Sequence, residues 1–120
     1  MVEINEIESY GKGAYDITHF VKKYIDKNKI ENGLIIISAL DQLCALTMIE
    51  YEPNLINDLG KLLENMPINN DYVKLSLFHR TLIIPLYNND LFLGSFQQVV
   101  LIDLNKEKGI RKIAIEKVDL

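Results

Sequence analysis

Few residues in this chain could do chemistry, and the most prominent are carboxylates. Asp41 follows the apolar run Leu34 to Ala39, and Glu50 closes the stretch Cys44 to Glu50. Both fall where strands give way to loops, the positions at which a rigid scaffold most often presents a site. Lys74 and Ser76 are spaced two apart, which puts them on one face of an extended strand, able to line a pocket together or to face solvent. Gln97 and Asp103 also share a strand face, but six residues of strand separate them by about 20 Å, too far for one small ligand in one subunit. Each acid has an ordinary structural use as well. Asp at a strand end accepts backbone N–H groups in a turn, and an acid just before a helix is favoured by the helix dipole by about 0.3–1 kcal/mol.

The other reactive types read as structural. His19 lies opposite the apolar stripe of the first helix, a solvated position. His79-Arg80 could hold an anion, but a turn in water explains the pair as simply. Cys44 sits in an apolar strand and behaves as a small core residue, with no histidine placed to activate it. There is no CxxC pair, no HExxH, no phosphate-cradling glycine loop and no Ser-His-Asp pattern.

The elements that must position these groups follow from periodicity. Val2 to Ser9 alternates weakly as a strand until Gly11-Lys12-Gly13 interrupts it. Ile17, Phe20, Val21, Tyr24 and Ile25 recur at helical spacing, so Thr18 to about Asn28 is a helix, capped by Asp16 or Thr18 and stopped at Asn32-Gly33. Leu34 to Ala39 reads as a strand buried on both faces, with Cys44 to Glu50 as its neighbour. Pro53 opens a second helix, which Pro67 ends, with Leu55, Ile56, Leu59, Leu62, Leu63 and Met66 on its apolar face. Tyr72 to Phe78 alternates as a strand, and Thr81 to Leu86 follows, with Pro85 marking an edge or bulge. Leu91 to Leu104 reads as one long strand and Ile110 to Val118 as the last.

The expected architecture is α+β: a largely antiparallel sheet or sandwich with two helices on one face, one domain over residues 1–120. Both faces of the long strand are apolar. Two short helices cover only one face, so the other needs a second sheet layer or another subunit, which favours a homo-oligomer. A net charge of -4 and no Lys/Arg cluster argue against nucleic acid as partner. No apolar run approaches the ~20 residues that span a bilayer, the first ten residues lack the pattern of a signal peptide, and one cysteine suits a reducing interior. The expectation is a cytoplasmic protein with neither nucleic acid nor membrane as partner.

Gly11-Lys12-Gly13, Tyr15-Asp16-Ile17-Thr18, Ala45-Leu46-Thr47, Glu50, Lys74, Ser76-Leu77, Pro85 and Gly94-Ser95-Phe96-Gln97 stand in an order that resembles the YjbQ family. Members of that family are known as secondary thiamine-phosphate synthases. The resemblance implies an α+β trimer with a weak activity that joins a pyrimidine diphosphate to a thiazole phosphate and releases pyrophosphate. Such chemistry needs cationic or metal-bound groups around the leaving group. By the same resemblance Glu50 and Asp41 are the catalytic candidates, and Lys74, Ser76 and Gln97 the substrate-binding ones.

The match departs from the family where reactivity should lie. A motif similar to H-T-T-A-A-L-T-I-N-E reads here Asp41-Gln42-Leu43-Cys44-Ala45-Leu46-Thr47-Met48-Ile49-Glu50, and a second family histidine falls on Tyr72. The family's late acidic residue corresponds to Asp103. If Asp41 and Glu50 met, two like charges at ~4 Å would repel by about 1 kcal/mol in water and about 4 kcal/mol at a partly buried site. Only a divalent ion would reverse that, and carboxylates alone suit Mg²⁺ or Ca²⁺ rather than zinc. The favoured expectation is an oligomeric binding or structural protein that has lost the synthase activity and holds no metal. The alternative is a Mg²⁺-dependent enzyme acting on a phosphorylated small molecule through Glu50, Asp41 and Lys74.

Overall fold

Alternation along residues 33–39 sets the plan of the molecule: Ile35, Ile37 and Ala39 are buried, while Leu34, Ile36 and Ser38 are half-buried on the opposite face. In the computed structural model, which describes residues 1–119, this strand is the middle of a larger sheet. The elements in chain order are β1 (Glu3–Ser9), β2 (Gly13–Asp16), α1 (Thr18–Lys27), β3 (Gly33–Ala39), β4 (Cys44–Glu50) and α2 (Pro53–Asn65). They continue with α3 (Asp71–Leu75), β5 (Thr81–Tyr87), β6 (Asp90–Leu91), β7 (Gln97–Asp103) and β8 (Gly109–Val118). One sheet runs β1-β8-β3-β5-β6 and the other β2-β7-β4, with every pairing antiparallel. The expected α+β class with largely antiparallel sheets is what the chain adopts.

The main core lies between the sheets. Ile35, Ile37, Ile84, Ile113 and Ile115 of the larger sheet meet Leu46, Val99 and Leu101 of the smaller one, and α1 adds Val21, Tyr24 and Ile25. On the other side of the smaller sheet, Ala45, Ile102 and Leu104 pack with Leu63 of α2 and Leu75 of α3. The expectation of both helices on one face is therefore corrected. Strand β7 is apolar on both sides because one side meets the second sheet layer and the other meets α2 and α3. Gly33 lets β3 begin against β8: a Cβ there would stand 2.5 Å from the Val118 carbonyl oxygen, at φ +145°.

Three segments differ from their sequence pattern. Tyr72 to Phe78 is not a strand; Asn70 Oδ1 accepts from the N–H groups of Tyr72 and Val73 and starts the short helix α3 instead. Leu91 to Leu104 is not continuous. Phe96 takes φ +58°, the N–H of Gln97 donates to the Gly94 carbonyl, and the chain turns between β6 and β7. Gly13–Asp16, where the sequence offered only the end of the glycine break and a helix-capping Asp16, forms β2 at the edge of the smaller sheet. Pro85 does lie beside an edge, since β5 is flanked on its outer side only by the two-residue β6. Among the described residues no helix is long and apolar enough to cross a membrane.

Candidate functional site

The densest polar cluster sits at the end of the smaller sheet where β4 starts and β7 finishes, Cys44 pairing with Asp103. Asp103 is fully buried. Its Oδ2 accepts from Ser9 Oγ and from Arg111 Nε at 2.7 Å. Its Oδ1 accepts from the Asn105 N–H at 2.9 Å, from Asn105 Nδ2 at 2.8 Å and from the Cys44 thiol at 3.6 Å. Burial alone would raise this carboxyl, but the bonds from Ser9, Asn105 and Arg111 outweigh it and hold the group below its ordinary range. The Arg111 guanidinium also donates to the carbonyls of Glu107 and Ile110. Cys44 is pushed up to about 12, first by burial and then by the Asp103 charge, so the thiol stays protonated and unreactive at neutral pH.

Asp41 borders this cluster, and its carboxylate accepts the backbone N–H of Lys112, which fixes the exit of β3 against β8. Arg80 completes the corner by donating to the carbonyls of Leu40 and Asp41 at 3.1 and 3.2 Å. Tyr72 comes to the same end, its hydroxyl 3.5 Å from Gln42 Oε1. The two positions that align with histidines in the resembled motif thus lie at the same end of the sheet, carrying an acid bound to backbone and a phenol that reaches the neighbouring Gln42. Asp41, Gln42, Asp71, Asn105 and Arg111 line an open groove over the cluster. Among the described residues no three His, Cys, Asp or Glu side chains are grouped to hold a metal ion.

Glu50 is not part of this corner. It pairs with Gln97 at the far end of β4, the full length of the strand from Cys44, or about 20 Å at ~3.3 Å per residue. The helix start there is capped by Glu52, whose Oε2 accepts from the N–H groups of Asn54 and Leu55. Gln97 Oε1 accepts from the Gly94 N–H and closes its own turn. Ser76 Oγ donates to the Val73 carbonyl at the end of α3. Lys74 and Ser76, expected on one strand face, instead lie on α3 and its cap, and they part: Ser76 is exposed, while Lys74 is 7% exposed and lines a cavity between α2, α3 and the smaller sheet.

Asn105, Ser9 and Arg111 were not singled out from sequence, and Arg80 only as half of a turn that could hold an anion. One signal existed for Arg111: it keeps inward register with Ile113 and Ile115, a charge on an otherwise apolar face that demands a partner.

A family model for UPF0047 YjbQ-like proteins matches residues 3–119. A structural-genomics crystal structure from C. acetobutylicum superimposes with a TM-score of 0.89 at 22% identity, covering 99% of this chain and 100% of that one. A YbjQ-like protein of unknown function from Sulfolobus solfataricus gives 0.84 at 19% identity over 98% and 96% of the two chains. A conserved hypothetical protein from Thermus thermophilus gives 0.81 at 22% identity over 97% and 99%. At these identities the likeness is one of fold. No curated protein matches the chain.

Proposed function

We propose that this chain, which belongs to the UPF0047 YjbQ-like family, is a non-catalytic member: a small oligomeric binding protein of the cytoplasm, without thiamine-phosphate synthase activity. One observation carries this reading. At the end of the sheet where positions 41 and 72 lie, the side chain of Asp41 is engaged with the Lys112 N–H and the other position carries a phenol that reaches Gln42. Neither can supply positive charge to a departing pyrophosphate at neutral pH, and general acid–base help of the kind an imidazole gives contributes about 10²–10⁴ in rate. The alternative, Mg²⁺-dependent chemistry on a phosphorylated small molecule, would need Asp41, Glu50 and Lys74 to converge. Within one subunit Asp41 and Glu50 flank opposite ends of β4.

Assembly as a trimer is part of the proposal. Leu62, Tyr72, Val73 and Leu77 are 48–69% exposed on α2, on α3 and just beyond it, apolar surface of the sort that subunit contacts cover. Light scattering should return three chains of 13.8 kDa each; a monomer mass would overturn the trimer. The catalytic half is tested by assaying the wild type beside an Asp41→His, Tyr72→His double variant with the pyrimidine diphosphate, the thiazole phosphate and Mg²⁺. The wild type should show no turnover above background. Turnover that Glu50→Ala abolishes would show the degenerate-corner argument to be mistaken.

A further inference from the structure

Among the described residues the larger sheet is covered on one face only. Its inner face meets the smaller sheet and α1, whereas α2 and α3 pack on the far side of the smaller sheet. An antiparallel sheet with one face in water normally turns polar residues outward. Three rows across β8, β3 and β5 depart from that rule: Ala114–Ser38–Thr81, then Glu116–Ile36–Ile83, then Val118–Leu34–Pro85. Ile83 is 60% exposed, and Ile4, beside Ala114 on β1, is 50% exposed. Contiguous apolar surface of this kind marks a place where another molecule sits.

The outward side chains of β8 identify that molecule. They run Ile110, Lys112, Ala114, Glu116 and Val118, in the order apolar, positive, small, negative, apolar. Neither Lys112 nor Glu116 has an ion pair among the described residues. Consider a second copy laid face to face, its β8 antiparallel to the first and a twofold axis at Ala114. Lys112 then faces the partner's Glu116, Glu116 faces the partner's Lys112, and Ile110 faces the partner's Val118. The small Ala114 at the axis lets the two faces approach to the ~10 Å of packed sheets. Strands β1, β8, β3 and β5 are together about 19 Å across and Ile110 to Val118 spans about 26 Å, so each copy offers roughly 500 Å² of face. The total of about 1,000 Å² suffices for a specific contact of the weak class. An anionic partner such as nucleic acid is disfavoured, because Glu6 and Glu116 flank Lys112 on this face.

We propose that the outer face of the larger sheet packs on the same face of a second copy about a twofold axis at Ala114, held by reciprocal Lys112–Glu116 contacts. The inference goes beyond the proposed function and does not rest on it. The contact uses neither α2 nor α3, so it joins two trimers as readily as two single chains. Being small, it forms only as concentration rises, and dilute solution leaves the unpaired species.

Sedimentation equilibrium from about 1 μM to about 1 mM chains tests this on the wild type, Lys112→Glu, Glu116→Lys and Ala114→Arg. The wild-type mass should rise toward twice its dilute value, and each variant should keep the dilute value throughout. An equimolar mixture of Lys112→Glu and Glu116→Lys should regain the doubling, because a face acidic at both positions then meets one basic at both. The double variant carrying both substitutions should regain it alone. A wild-type mass that stays constant, a rise that the variants share, or a mixture that keeps the dilute value would each overturn the proposal. So would a dilute mass for Ala114→Arg one third that of the wild type, which would put this face inside the trimer. If Ala114→Arg fails to fold, the two charge variants and their mixture still decide. A dilute wild-type mass of one chain would overturn the trimer while leaving the doubling to judge this face.

Discussion

Asp103 and Lys74 are charged residues with largely buried side chains on opposite faces of the smaller sheet, and their surroundings differ in kind. Asp103 accepts from Ser9, Asn105, Cys44 and Arg111, so each oxygen is used and the opposite charge is in contact. Lys74 buries its stem but not its ammonium: among the described residues it has neither an ion pair nor a side-chain hydrogen bond, and the buried side-chain nitrogen without a partner is Asn5 Nδ2 instead. A satisfied buried charge holds structure, because removing one partner strands the other in low dielectric. A charge that keeps its head in water along a buried stem needs no partner and pins no strand. Residue type alone does not separate the two cases; the partners do.

The sharpest break between them is expected from single substitutions. Asp103→Asn leaves the Arg111 guanidinium buried without its counter-charge, and urea denaturation should show a loss of about 3–5 kcal/mol. A loss below about 1 kcal/mol would mean that the cluster is not what pins β7 to β8. Acid should reproduce the effect by degrees. The folded carboxyl titrates below its ordinary value of 3.8, so its contribution is complete above that value and is lost as pH falls through the depressed one. The wild-type stability curve should therefore drop below about pH 4, and the drop should shrink in Asp103→Asn.

Lys74→Met should move the other way or hardly at all. It removes a charge with no partner to strand, so the change should stay within about 1 kcal/mol or be a gain. A loss of several kcal/mol would place Lys74 with Asp103 and remove the contrast. Smallest of all is Glu50→Gln. At an exposed strand end where Glu50 makes no ion pair among the described residues, the change should stay within about ±0.5 kcal/mol, the usual range for surface substitutions.

Much of the fold was legible because its periodicities are strong. The helical stripe of Ile17 to Ile25, the β-branched run of β3 and the Pro53 and Pro67 limits of α2 each point to one element. Misreadings arose where a local hydrogen bond overrides a pattern. Tyr72 to Phe78 alternates like a strand, yet Asn70 caps a helix there; nothing in Phe96 announces a positive φ. Within the candidate site, the use of Asp41 as a backbone acceptor follows from its place at a strand end. The convergence of Asp103 with Ser9 and Arg111 does not, because it depends on strands from both ends of the described chain meeting at one corner.

That meeting has a kinetic side. Strand β8 lies between β1 and β3, pairing Ile115 with Glu3 on one side and with Ile37 on the other. The chain leaves the larger sheet after β3, builds β4 of the smaller sheet, returns for β5 and β6, then crosses again for β7 before β8 closes the arrangement. The larger sheet is completed only by the last strand in the chain. Pairings so distant in sequence must overcome loop-closure entropy before they contribute, and domains dominated by them fold in milliseconds to seconds. Until β8 arrives, both β1 and β3 present a bare strand edge, so crowding a refolding reaction should divert chains to aggregates at that stage rather than slow an early helix.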